Sequence, residues 1–180
     1  MTSKQLMQTT LLISSRKDPA GSLIHEELCK LLEKDDFATP FTRHLHASER
    51  LIYLDGPSLP NDADRIIFLS RHASERPRPV LTVHVTGNFG TADYGGEPGT
   101  LTAAATNLMH ALLNRLFIHA PEGYEVMYEA THHGPTSLLL PSCFIELGST
   151  ETEWNDRNAA GAVARAVLDA ISMDISDVIP

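Results

Sequence analysis

At 180 residues, with 42% apolar residues and a formal net charge of −9, the chain has the size and balance of one folded domain rather than of a disordered segment. The acidic balance argues against a general nucleic-acid binder, whose footprint is usually basic, although Arg71, Arg76 and Arg78 make a local basic patch and Arg16 and Lys17 a second pair. Cys29 and Cys143 are isolated thiols without CxxC spacing, and no apolar run has signal-peptide or membrane-spanning length, so a reduced, cytoplasmic protein without a membrane partner is expected.

Residues 1–180 read as a single α/β domain, with about eight residues at each end expected to be flexible. Thr9 to Ser14 is a short apolar run followed by a polar loop, Ser15 to Asp18. Asp18-Pro19 is a helix start, with Asp as N-cap and Pro at the first helical position. Ile24, Leu28, Leu31 and Leu32 then recur at helical spacing to about Lys34. Residues 35–48 carry no clear signal. Arg50 to Leu54 reads as a strand closed by the Asp55-Gly56-Pro57 turn. Arg65 to Leu69 has the continuous apolar character of a strand buried on both faces, and it delivers Ser70-Arg71-His72 at its end. Val80 to Thr86 is the next strand.

The stretch from Gly87 to Gly99 is a long glycine-rich loop with Tyr94-Gly95-Gly96 at its tip, of the kind that often covers a site. Thr100 is placed to cap a helix whose face is Leu101, Ala105, Leu108, Leu112 and Leu116. Tyr124 to Tyr128 and Ser142 to Leu147 complete the strands, and Thr150 with Glu153 has the spacing of a capping box opening a last helix to about Ile171. The alternation predicts a three-layer α/β/α domain with a mostly parallel or mixed sheet.

Three polar clusters fall at predicted strand ends: Ser70-Arg71-His72, His84 with Thr86-Gly87-Asn88, and Glu129 to His133 before Gly134-Pro135. In a parallel sheet such ends share one edge, so the clusters are expected to converge there. Imidazoles and carboxylates together suit zinc, with His72, His84, His132, His133 and Glu146 as candidate ligands. A histidine beside a carboxylate also suits proton transfer at neutral pH, which makes Glu129, His132, His133 and His72 candidate catalytic groups. Gly87, Asn88, Gly134 and Gly148 are candidates for backbone N–H contacts to an oxyanion. The plainer alternatives are that His84 is a hydrogen-bonded core histidine, that Glu129 and Glu146 are strand-end carboxylates, that Arg76 and Arg78 are solvated, and that Trp154 merely packs.

Taken together and in order, Ser70-Arg71-His72-Ala73-Ser74, Leu81-Thr82-Val83-His84 with Thr86-Gly87-Asn88, Glu129-Ala130-Thr131-His132-His133-Gly134-Pro135, and Glu146 to Thr150 with Trp154 resemble the archaeal and plant type of D-aminoacyl-tRNA deacylase. The likeness runs from about Leu11 to Ile171. It implies hydrolysis of the ester between a D-amino acid and the 3′ end of tRNA, a zinc cofactor, a monomeric cytosolic enzyme, and a fold like that of nucleoside phosphorylases and peptidyl-tRNA hydrolases. Plant relatives are also linked to removal of aldehyde-derived adducts. Under that resemblance Lys17, Arg71, Arg76 and Arg78 would meet the acceptor-end phosphates. Archaeal relatives usually continue past the last helix into a segment with a Gly-Gly-His-Tyr motif, which these residues lack, so a short member, a piece of a longer protein and an altered activity are all open. Two other functions stand beside the deacylase: a small-molecule ester or amide hydrolase with no RNA partner, and a non-catalytic tRNA- or ligand-binding module.

Overall fold

Two runs of continuously buried residues, RIIFLS and SCFIELGS, place two strands in the middle of a sheet covered on both sides. The computed structural model describes residues 8–34 and 42–173; the flexibility expected at the chain ends concerns residues outside these. The strands are β1 (Thr10–Ser15), β2 (Thr42–Ala47), β3 (Arg65–Ala73), β4 (Val80–His84), β5 (Glu125–Tyr128) and β6 (Ser142–Ser149), and the helices α1 (Pro19–Lys34), α2 (Thr106–His119), α3 (Glu151–Trp154) and α4 (Arg157–Ser172). The sheet order is β2-β1-β3-β6-β4-β5. All neighbours are parallel except β4 and β6, which are antiparallel.

The α/β class and the mixed sheet are as expected, and the two faces are covered differently. One face is packed by α1, α2 and α4, whose Ile24, Leu28, Leu112, Leu116, Val163 and Val167 meet Leu69, Leu81, Ile145 and Leu147 of the sheet. The small residues Ala159, Ala160 and Ala164 let α4 lie close over the centre. The other face carries Leu11, Ile13, Phe68 and Phe144, capped by Leu51 and by Leu54, Leu59, Leu138 and Leu140 from turns and loops. Among the described residues the layer on that side contains single-turn 3-10 helices, Leu51–Tyr53 and Gly56–Ser58, in place of long helices.

Several local expectations shift. Arg50 to Leu54 is not a strand but the first of these 3-10 turns, because the sheet edge beside β1 is taken by β2. β2 reads TRHLHA, mostly polar and only partly buried, as suits an edge strand, and so gives little apolar signal. α2 begins at Thr106 rather than Thr100. The residues between stay extended because Thr100 O accepts from Asn88 N at 2.8 Å and Ala103 O from Ser142 N at 3.0 Å. The capping box of Thr150 and Glu153 is present but closes only α3. A second cap, Asp156, starts α4 by accepting from Asn158 N and Ala159 N. Asp18 caps α1 through Gly21 N at 2.8 Å. No helix among the described residues is long and apolar enough to cross a membrane.

The largest correction concerns where the clusters meet. β4 and β5 run against β3 and β6, so their C-terminal ends do not share an edge with those strands. The polar side chains converge instead on one face of the sheet. Ser70 is opposite Glu146, His72 opposite Gly148, Thr82 opposite Glu146, and His84 opposite Phe144. Since side chains alternate along a strand, the residues between these build the helix-covered core while these face the other way.

Candidate functional site

Glu146 is the centre of that face and is 2% exposed. Its Oε1 lies 3.5 Å from His84 Nε2 and 3.7 Å from His133 Nε2. Its Oε2 lies 3.6 Å from His72 Nδ1, which in turn sits 3.0 Å from Glu129 Oε2. The last contact is an ion pair without hydrogen-bond alignment, and Glu129 Oε2 has no hydrogen-bond partner among the described residues. Two overlapping groups result, His84-His133-Glu146 and His72-Glu129-Glu146, each with ligand atoms close enough to surround one cation.

The backbone determines what the first group can do. His84 Nδ1 is 2.9 Å from Val85 O and His133 Nδ1 is 2.8 Å from Gly134 O. A carbonyl only accepts, so both Nδ1 atoms donate, and a neutral imidazole then keeps a bare Nε2. Both bare nitrogens point at a carboxylate oxygen across 3.5–3.7 Å, beyond hydrogen-bond length, and His84 Nε2 is buried without a hydrogen-bond partner among the described residues. Lone pairs converging in this way fit a shared cation. Nδ1 anchored on a carbonyl with Nε2 free is also the arrangement that orients metal-ligating histidines. The donor set of two imidazoles and a carboxylate suits zinc. Phe144 fixes both rings, stacked on His84 at 5.3 Å and edge-on to His133 at 4.7 Å.

Electrostatics follow the same geometry. Glu129, and after it Glu146, raises His72 to about 9. Burial pulls His84 down, but Glu146 outweighs it and the net direction is up. Burial alone would raise Glu146; His84, His133 and His72 together hold it well below the usual carboxylate range. Burial likewise raises Glu129, and the His72 contact brings it below its ordinary value. The two glutamates are therefore ionised at neutral pH.

His133 and Glu146 reach a cavity of about 230 Å³ whose lining also includes Lys17, Arg50, Arg71, Tyr94 and His132. Asp18 joins its wall to the sheet, its Oδ2 accepting from Arg71 N at 3.0 Å and Ser70 Oγ at 3.2 Å. The Arg71 guanidinium lies 4.9 Å over the Trp154 ring, and Trp154 Nε1 donates to His72 O at 2.7 Å. Trp154 thus steadies both a rim cation and the backbone of a cluster histidine. Gly148 permits the same approach from β6, since a Cβ there would run into the His72 carbonyl and come within 2.7 Å of its Cβ. Gly148→Ala is expected to cost about 1–3 kcal/mol, read from the urea midpoint, whereas Gly90→Ala, with nothing within 4 Å, leaves it unchanged.

The sequence candidates separate on this geometry. His72, His84, Glu129, His133 and Glu146 come together. His132 stands outside both cation groups, with its side chain 45% exposed at the cavity. Its Nδ1 is 2.8 Å from Ala130 O, which leaves Nε2 as the free ring nitrogen. Its neighbour His133 turns inward because Gly87 pairs with it through Gly87 N and His133 O at 2.8 Å. The oxyanion role expected of Gly87, Asn88 and Gly134 is corrected: their N–H groups already donate to His133 O, Thr100 O and Tyr94 O. Gly148 is spent on strand packing. Lys17 and Arg71 reach the cavity, Lys17 while paired with Glu49 at 2.7 Å. Exposed Arg76 and Arg78, the latter paired with Glu125 at 3.0 Å, do not line it. Sequence reasoning missed Arg50 and Phe144 as parts of the site and saw Asp18 only as a cap, while Tyr94 lines the cavity from the tip of the loop expected to cover a site. Arg50 was hidden by reading its segment as a strand.

The chain is similar to proteins of known sequence and structure. The family model described as D-aminoacyl-tRNA deacylase matches residues 59–180. A curated D-aminoacyl-tRNA deacylase of Methanospirillum hungatei JF-1 is 79% identical over 180 residues, covering all of this chain and 41% of its own length. The one of Methanoculleus marisnigri is 48% identical, over 93% of this chain and 39% of its own. The chain thus spans about two fifths of the length of these relatives. A crystal structure of a conserved protein of unknown function superposes with a TM-score of 0.79 at 38% identity, covering 93% of this chain and 64% of that one. An N-acetylmuramoyl-L-alanine amidase from Clostridium difficile 630, at 12% identity and a TM-score of 0.57, shares the fold.

Proposed function

Because the chain belongs to the D-aminoacyl-tRNA deacylase family, we propose that it hydrolyses the ester joining a D-amino acid to the 3′ end of tRNA, releasing the amino acid and free tRNA. The supporting observation is the convergence of His84 Nε2 and His133 Nε2 on Glu146 Oε1 at 3.5–3.7 Å, beside a cavity with an open imidazole and a cationic rim. His84, His133 and Glu146 would hold zinc, with His72 and Glu129 as the adjoining group that shares Glu146. Zinc supplies Lewis acidity, which polarises a carbonyl and acidifies water.

The chain's own residues supply the rest. His132 Nε2 takes a proton from water as the water oxygen bonds to the ester carbon, and returns it to the 3′-oxygen as the ester C–O bond breaks. The Glu129 carboxylate, 3.9 Å from His132 Nδ1, faces the positive charge that this ring takes on. His72, protonated beside Glu129, balances the two carboxylates. Lys17 and Arg71 at the cavity, with Arg76 and Arg78 further out, meet phosphates of the acceptor end, which makes affinity salt-dependent. The free thiols Cys29 and Cys143 fit a cytoplasmic setting, and we take the working form to be a monomer.

The test is hydrolysis of matched D- and L-tyrosyl-tRNA by the purified protein, before and after chelation. Release of D-tyrosine in preference to L-tyrosine is expected, lost on chelation and restored by zinc. No release of D-tyrosine, with or without added zinc, overturns the proposal.

A further inference from the structure

Tyr94 is 59% exposed at the tip of the glycine-rich loop, yet its backbone is tightly held. Gly134 N donates to Tyr94 O at 3.2 Å, the Asn88 side-chain amide donates to Gly95 O at 2.9 Å and Glu97 O at 3.2 Å, and Glu97 N donates to Thr136 Oγ1 at 2.8 Å. Gly95 and Gly96 have φ of 82° and 78°, the left-handed region that favours glycine. A Cβ on Gly95 would strike the Ile52 carbonyl and lie 2.9 Å from Tyr53 Cδ1; one on Gly96 would lie 2.7 Å from Thr136 Cγ2. Asn88 and Gly134, which looked like oxyanion donors from sequence, thus serve to fix this loop.

A loop fixed this firmly around an exposed ring is a presentation device. What surrounds the ring identifies what it presents to. Tyr94 and Arg50 line the cavity that leads to His133 and Glu146. Arg50 lies 5.6 Å over the ring of Tyr53, itself 56% exposed and abutting Gly95. An exposed aromatic ring carried on a fixed backbone, with a guanidinium lining the same cavity, is a combination that binds unpaired nucleotides, the ring stacking a base and the cation meeting its phosphate. A terminal nucleotide stacked there would direct its 3′-ester toward the buried cluster.

We propose that Tyr94, held at the cavity mouth by Asn88 and Gly134, is the stacking platform for the terminal unpaired base of the RNA substrate, with Arg50 on the adjoining phosphate; this rests on the deacylase function proposed above. The aminoacyl group is not the occupant of the platform, so an uncharged end binds it too.

The probe is an unacylated single-stranded oligoribonucleotide ending in CCA, with 2-aminopurine in place of the terminal adenine, titrated at low salt. Wild-type protein is expected to quench its fluorescence saturably. Tyr94→Ala abolishes the quench and weakens binding by about 5- to 150-fold, Tyr94→Phe retains both, and zinc content is the same in all three. With D-tyrosyl-tRNA, Tyr94→Ala raises KM by a similar factor and leaves kcat nearly unchanged. Absence of quenching by the wild-type protein, equal quenching by Tyr94→Ala, or a Tyr94→Phe loss as large as that of Ala each overturns the platform. The two proposals fail separately. Quenching without D-tyrosine release removes the deacylase function and keeps the platform, while release with an unaltered KM in Tyr94→Ala does the reverse.

Discussion

Glu146→Gln is expected to lower bound zinc to a small fraction of an equivalent and to reduce D-aminoacyl-tRNA hydrolysis by more than about 100-fold. Substituting residues that only support metal ligands already costs about 10- to 100-fold, and Glu146 belongs to both candidate cation groups. Its carboxylate is buried, is held below the usual carboxylate range by the histidines around it, and lies 3.5–3.7 Å from both His84 Nε2 and His133 Nε2. Glutamine keeps the volume and can give an amide hydrogen bond to one bare imidazole nitrogen, so the fold is retained while the charge is lost. Metal analysis by mass spectrometry and single-turnover kinetics measure the two effects, with thermal unfolding as the control for folding. A Glu146→Gln protein that keeps a full equivalent of zinc and wild-type turnover would falsify the assigned ligand set.

His132→Ala has the opposite signature. The ring is half exposed and belongs to neither cation group, so zinc content should equal wild type. Loss of a positioned general acid–base group costs about 10² to 10⁴ in rate, and the fall is expected in kcat, with KM little altered. His133→Ala supplies the contrast, because that ring is 7% exposed and reaches Glu146; it should lose metal and activity together. Two adjacent histidines would then divide into one that binds and one that moves protons. If His132→Ala loses zinc in parallel with activity, His132 is a ligand and the division is wrong.

The strands that carry the site were legible where burial on both faces left a mostly apolar run, as in Arg65 to Leu69 and Ser142 to Leu147. β2 was not, because an edge strand needs only backbone pairing and its TRHLHA sequence offers little alternation. Arg50 to Leu54 misled for the complementary reason. Its apolar residues include Leu51, which fills a gap beneath a 3-10 turn rather than pairing in the sheet. The chemical residues stood out because His72, His84 and Glu146 interrupt strands with titratable groups. Their meeting place did not, since strand direction is set by connections and layers that local sequence does not encode. The antiparallel run of β4 moved the site from an edge to a face. The glycines misled because the same freedom that lets an N–H approach a ligand also lets two loops pack closely.

β6 is the seam of the sheet, with β2, β1 and β3 on one side and β4 and β5 on the other. The histidines around Glu146 come from both sides, His72 from the first and His84 and His133 from the second. A cation held there would join two differently oriented halves of the sheet, and its binding free energy would add to the stability of the folded state. β6 thus carries both the central carboxylate of the candidate site and the seam of the sheet.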